Sequence, residues 1–140
     1  MVSKLLLVED DPGERQVMVE AIRSVSDAEV IVASDGREAL DWLRRNGPDT
    51  HRAPAAVFLD LGMPNVDGLE VLREFHRLAD AGRVPVVVFT AASGQADVYL
   101  GYHLGAKAFV VKPPTPAKLR EVARVAAAFW LHNNVRPPVP

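Results

Sequence analysis

The 140-residue chain contains no cysteine. That excludes a disulfide framework, thiol catalysis and any cysteine-based zinc site. Neither sign of charge dominates. The 18 acidic and 16 basic residues leave a formal net charge of −2, which gives no electrostatic footprint for nucleic acid or an anionic membrane. No apolar run approaches the ~18–20 residues that a bilayer-spanning helix needs. The four histidines, His51, His76, His103 and His132, lie far apart. They show no metal-ligand spacing and read as surface or helix-face residues. Met1-Val2-Ser3-Lys4 leads straight into an apolar run, with no signal peptide before it. The expected setting is the cytoplasm.

What is present suits one domain with a real core, since 49% of the residues are hydrophobic. Short apolar runs at Lys4–Val8, Glu29–Ala33, Ala55–Leu59, Pro85–Phe89 and Ala108–Val111 read as strands. Several are continuously apolar, as in strands covered on both faces. Between them apolar residues recur with helical period, as in Val17, Met18, Ala21, Ile22 and Val25, or Leu69, Leu72, Phe75 and Leu78. The segment from Ala96 to Leu104 has the weakest pattern. Three helix starts share the form Asp-x-x-Glu, at Asp11–Glu14, Asp35–Glu38 and Asp67–Glu70. This is a capping-box arrangement in which the Asp accepts a first-turn N–H and the Glu reaches back. Thr115-Pro116 opens the last helix, Asn46-Gly47-Pro48 closes the second, and Gly105 closes the fourth. Five βα units of this kind predict an α/β fold, a doubly wound parallel sheet with helices on both faces.

Reactive residues follow four of the strands: Glu9-Asp10-Asp11, Asp60, Thr90 and Lys112. In an open parallel sheet these ends meet at one edge, where ligands bind. Clustered acids repel one another, and a cation relieves that. Oxygen-only donors suit Mg²⁺. A carboxylate beside such an ion can attack phosphorus and form an acyl phosphate. Lys112 and Thr90 add an ammonium and a hydroxyl donor. The combination is an arrangement for phosphoryl transfer, resting on positioning and electrostatics.

Val8-Glu9-Asp10-Asp11, the run from Leu59-Asp60-Leu61-Gly62 to Asp67-Gly68, Thr90-Ala91 and Val111-Lys112-Pro113 together resemble the receiver domain of two-component response regulators. The resemblance covers about residues 3 to 130. It implies a flavodoxin-like, five-stranded sheet of order 2-1-3-4-5. It implies that Asp60 is the phosphoacceptor, charged by a histidine kinase. Glu9, Asp10, Asp60 and the Gly62 carbonyl would hold Mg²⁺, with Asp10 as a direct ligand. Thr90, Ala91 and Lys112 would contact the phosphoryl group, and Phe109 would turn inward when Thr90 engages it. The small Gly62 and Ala92 stand two residues beyond Asp60 and Thr90, at positions that influence how fast the acyl phosphate hydrolyses.

Phe129-Trp130-Leu131 and Val135-Arg136-Pro137-Pro138 resemble the ends of stand-alone receivers paired with phytochrome-type kinases, as does Asp97–Leu104. That narrower resemblance implies a bacteriophytochrome-like kinase partner. It also implies homodimers formed through the fourth helix, fifth strand and fifth helix, with Phe129, Trp130 and Leu131 at the interface. The expected organisation is a receiver domain over residues 1–132 and a tail over 133–140. With no output domain expected, the signal leaves through an unidentified downstream protein.

Three rival readings fit the residues less well. A nucleotide binder of the same fold needs a Gly-, Ser- or Thr-rich loop after the first strand, and the acids there would repel a phosphate lacking a metal. An aspartyl phosphatase needs a general acid two residues beyond its nucleophile, and Gly62 stands there. A non-phosphorylated pseudo-receiver, acting as a binding module, has no use for Asp10, Asp60, Thr90 and Lys112 together. The expected role is therefore a signalling switch that turns over no substrate.

Overall fold

The computed structural model describes residues 2–47, 52–62, 68–78, 83–91 and 95–135. Among them, strands and helices alternate: β1 (Lys4–Val8), α1 (Pro12–Val25), β2 (Glu29–Ala33), α2 (Gly36–Asn46), β3 (Ala56–Asp60), α3 (Gly68–Leu78), β4 (Val86–Thr90), α4 (Gln95–His103), β5 (Ala108–Val111) and α5 (Pro116–Ala128). The five strands form one parallel sheet of order β2-β1-β3-β4-β5.

Side chains alternate across a strand, and here that alternation divides the core in two. Leu6, Val8, Val57, Leu59, Val86 and Val88 pack on one face with Leu43 of α2 and Leu72 and Phe75 of α3. Leu5, Leu7, Ala56, Phe58, Val87 and Phe89 pack on the other with Met18 and Ile22 of α1 and Leu119 and Ala123 of α5. Phe58 and Phe89 meet at a ring separation of 4.8 Å. Fully burying a large apolar side chain of this kind contributes about 1.5–3 kcal/mol.

Two strands are displaced by one residue from the sequence reading. β3 and β4 include Asp60 and Thr90 as their last residues, because both still pair across the sheet, Asp60 with Phe89 and Thr90 with Val111.

The caps follow local chemistry. Asp11 and Asp35 accept the N–H of Glu14 and Glu38 at 3.0 and 2.8 Å, and Thr115 accepts that of Lys118. The returning glutamates depart from the expected box. Glu38 takes the N–H of Ser34, one residue before the cap, and Glu14 turns to Lys112 instead. Asp67 lies outside the described residues. Gly47 ends α2 in right-handed geometry, whereas Gly105 closes the turn after α4 with φ of 113°, a conformation glycine adopts without cost.

Candidate functional site

Among the described residues, the buried polar or charged side chains are Glu9, Asp60, Thr90 and Lys112. All four stand at the C-terminal edge of the sheet. Register explains their meeting. Val8 pairs with Leu59, which sets Glu9 level with Asp60. Thr90 pairs with Val111, which sets Lys112 one step beyond, its N–H donating to the Thr90 carbonyl at 2.9 Å. Alternation then sorts the side chains. Glu9, Asp60 and Lys112 share parity with the residues facing α1 and α5. Thr90 and Phe109 share parity with those facing α2 and α3, and Phe109 packs against that second core layer.

Lys112 is the hub of the acidic side. Its Nζ lies 2.5 Å from Glu9 Oε1, 3.3 Å from Asp60 Oδ2 and 3.4 Å from Glu14 Oε2. Asp60 Oδ1 accepts the Gly62 N–H at 2.9 Å, so the turn after β3 orients the carboxylate. Glu9 Oε2 accepts the Asp11 N–H at 3.3 Å. Arg15 of α1 donates to the Glu9 carbonyl and to Ser34, tying the loops after β1 and β2 together.

The electrostatics follow from burying more negative than positive charge. Burial pushes the Glu9 carboxyl up to about 8; the Lys112 ammonium works against that, and the nearby Asp60 charge adds to it. Burial alone would weaken the hold of Lys112 on its proton. The Glu9 hydrogen bond and the Glu9, Asp60 and Glu14 charges outweigh that and raise its pKa, so Lys112 stays cationic.

Carboxylate oxygens of Glu9, Asp10 and Asp60 lie within 4.8 Å of one another. The donors are all hard oxygens, in a pocket with more acids than its single lysine offsets. This set fits a divalent cation that keeps part of its water shell.

Gly62 and Ala91 are exposed beside the cluster, while Ala92 and the turn at 63–67 lie outside the described residues. Phe109 rests on α4, its ring 5.2 Å from that of Tyr102. The three C-terminal residues stand apart from the edge and differ among themselves. Phe129 is exposed, but Trp130 and Leu131 are partly buried against the α1–α5 core layer, although the resemblance puts all three at a homodimer interface. Residues Phe129–Asn133 wind as a π-helix, and His132 Nε2 donates to the Val25 carbonyl at the end of α1.

Glu14 is the site residue the sequence reading missed, having assigned it to a helix cap. Nothing local to its sequence marks that role, because the partner is 98 residues away. It stands on the first turn of α1, three residues after the N-cap Asp11, with its carboxylate turned to Lys112 at the sheet edge.

The fold and this edge define a receiver-type α/β domain with an acid–lysine cluster. The chain belongs to the response regulator receiver domain family, whose model matches residues 5–124. It is 32% identical over 135 residues to response regulator Rcp1 of Synechocystis sp., covering 95% of this chain and 92% of that protein. The solved structure of the phosphorylated cyanobacterial phytochrome response regulator RcpA superposes with a TM-score of 0.87 at 30% identity, covering 99% and 100% of the two chains. The Mn²⁺-bound form of Rcp1 gives 0.85 at 30% identity, with 97% and 99% covered. The chain spans about half the length of several other curated relatives. It is thus a two-component response regulator domain resembling those of phytochrome signalling.

Proposed function

We propose that this response regulator accepts its phosphoryl group on Asp60 from a phytochrome-type histidine kinase, with Mg²⁺ as the cation, and signals in the cytoplasm by a change of surface. The observation that carries this reading is the convergence of the four buried polar side chains on one sheet edge. Burial of such groups is costly unless they are paired, and Asp60 pairs with groups that would also serve a phosphoryl group.

In the proposed step an Asp60 oxygen attacks phosphorus, forming an O–P bond. The N–P bond of the phosphohistidine breaks, its electron pair stays on the imidazole nitrogen, and that nitrogen takes up a proton. The Gly62 N–H holds Asp60 in orientation, and Lys112 offers N–H donors to the phosphoryl oxygens. Glu9, Asp10, Asp60 and the Gly62 carbonyl would hold Mg²⁺, which offsets negative charge on those oxygens when bound. Thr90 and Ala91 would complete the contacts, and Phe109 would follow Thr90, its neighbour on the α4 side. The receiver unit is taken as residues 1–132, with a tail over 133–140. Exposed Tyr99, Tyr102, Val111 and Val125 on α4, β5 and α5, with Phe129 just beyond α5, support a homodimer or a downstream partner on that side, with no role for nucleic acid. Among the described residues no helix is long and apolar enough to cross a membrane.

The test is incubation with a small phosphodonor and Mg²⁺. One acid-stable, base-labile phosphoryl group is expected, abolished by chelation and by Asp60→Asn. Labelling that persists in Asp60→Asn would refute the assignment.

A further inference from the structure

The Lys112 ammonium carries three N–H donors and has three carboxylates around it, on Glu9, Asp60 and Glu14. The three are not equivalent. The Glu9 and Asp60 side chains are 1% and 10% exposed, and Glu14 is 38% exposed and the farthest, at 3.4 Å. Glu9 cannot be abandoned without leaving a buried acid unpaired. Asp60 is the reacting group. Glu14 can let go, because it stands at the wall of a cavity of about 170 Å³ between α1 and the loop after β5, lined also by Gly13, Val17, Pro113, Thr115 and Leu119.

We propose that Glu14 is a positioning residue for phosphoryl transfer. It holds the Lys112 ammonium toward α1 in the resting state and releases it to the phosphoryl oxygens. The inference rests on the reading of Asp60 as phosphoacceptor. It follows from charge and geometry. While Glu14 shares Lys112, all three ammonium donors are engaged by Glu9, Asp60 and Glu14, and an incoming phosphoryl dianion finds none of them free. Removing the Glu14 charge leaves the ammonium to Glu9 and Asp60 and frees one donor. Glu14 thus slows capture of the phosphoryl group by competing for the residue that receives it. Because its backbone N–H is already held by Asp11, its side chain is not needed to start α1, and Glu14→Gln retains the fold.

The experiment measures the apparent second-order rate constant for phosphorylation by acetyl phosphate with Mg²⁺, in the full chain. Glu14→Gln is expected to raise it about two- to fivefold, the range for a partly exposed ion pair. The gain should vanish when the same change is made in a Lys112→Ala background, since a contact that acts through Lys112 has no effect without it. Nitrogen-15 NMR of the Lys112 ammonium should show its signal displaced in Glu14→Gln without any phosphodonor. An unchanged rate constant overturns the proposal, as does an equal gain in the Lys112→Ala background, which would mark a general field effect. Failure of the underlying reading is separate: Asp60→Asn would then still be labelled, whereas failure of the Glu14 role leaves Asp60-dependent labelling intact at equal rates.

Discussion

Gly101 of α4 lies directly under the ring of Phe109. A Cβ built on Gly101 would overlap Cζ and Cε2 of that ring, so the aromatic occupies space that only a glycine leaves free. The ring sits partly buried in this seat, with Tyr102 across from it at 5.2 Å.

Gly101→Ala therefore sets two effects against each other. Alanine in a helix gains up to about 1 kcal/mol over glycine, and overpacking costs about 1–3 kcal/mol unless the neighbour moves. The overlapping atoms are the far end of a side chain, which can rotate. The expected result is a folded protein within about 1 kcal/mol of the parent, with Phe109 turned out of its seat. Fluorine NMR of fluorophenylalanine-labelled protein reads this directly. An unshifted Phe109 signal in Gly101→Ala would refute the seat. If Phe109 is the moving element of the switch, the variant also loses the ring's response to phosphorylation.

The strand ends were legible because continuous apolar runs mark buried parallel strands, and a charged or hydroxyl-bearing residue after such a run is a departure that needs a reason. Asp60, Thr90 and Lys112 stood out on that ground. Their partition between the two faces was not legible. It depends on register, which pairing sets. Glu14 was hidden because an Asp-x-x-Glu start already explains a glutamate at that position, and the sequence carries no sign that Lys112, 98 residues away, competes for it. The packing of Trp130 and Leu131 was not legible either: the chain winds as a π-helix from Phe129 to Asn133, and both side chains lie partly buried against the α1–α5 core layer.

Glu9 carries a pH prediction. Its carboxyl is pushed up to about 8 by burial, against 4.5 in the unfolded chain. Between those values the folded state binds more protons than the unfolded state. Stability is then full below about 4.5 and falls as pH rises through 8, with a slope of up to ~1.4 kcal/mol per pH unit for one proton. Lys112, raised above its usual value, contributes nothing to this window because it remains charged throughout. Denaturant titrations in chelator from pH 5 to 9 should show the decline, and Glu9→Gln should flatten it. A divalent cation favours the ionised acids, so its affinity should rise with pH over the same window, and binding near pH 7 should release protons measurable by calorimetry in buffers of different ionisation enthalpy. Equal slopes in the parent and Glu9→Gln would show that another group titrates.

Phe129 and Trp130 are neighbours whose rings meet edge-on at 5.1 Å and 87°, yet they should answer different questions. Trp130 packs against the layer between α1 and α5, and His132 fastens the same segment to the Val25 carbonyl at 2.9 Å. Trp130→Ala is therefore expected to destabilise the monomer by about 2–3 kcal/mol, somewhat less than for a fully buried tryptophan. His132→Ala should cost about 0.5–1.5 kcal/mol through the lost hydrogen bond. Phe129 is 47% exposed, and truncating it should change monomer stability by no more than about 0.5 kcal/mol. If the α4–β5–α5 side forms a homodimer with Phe129 among its anchors, as Tyr99 and Tyr102 could also be, Phe129→Ala should weaken association by about 2 kcal/mol. Denaturant unfolding at low protein concentration separates the first effects from the last, and sedimentation over a range of concentrations measures the association. A Trp130→Ala monomer as stable as the parent would remove the core role assigned to that side chain. Undiminished association of Phe129→Ala would move any dimer contact elsewhere on the surface.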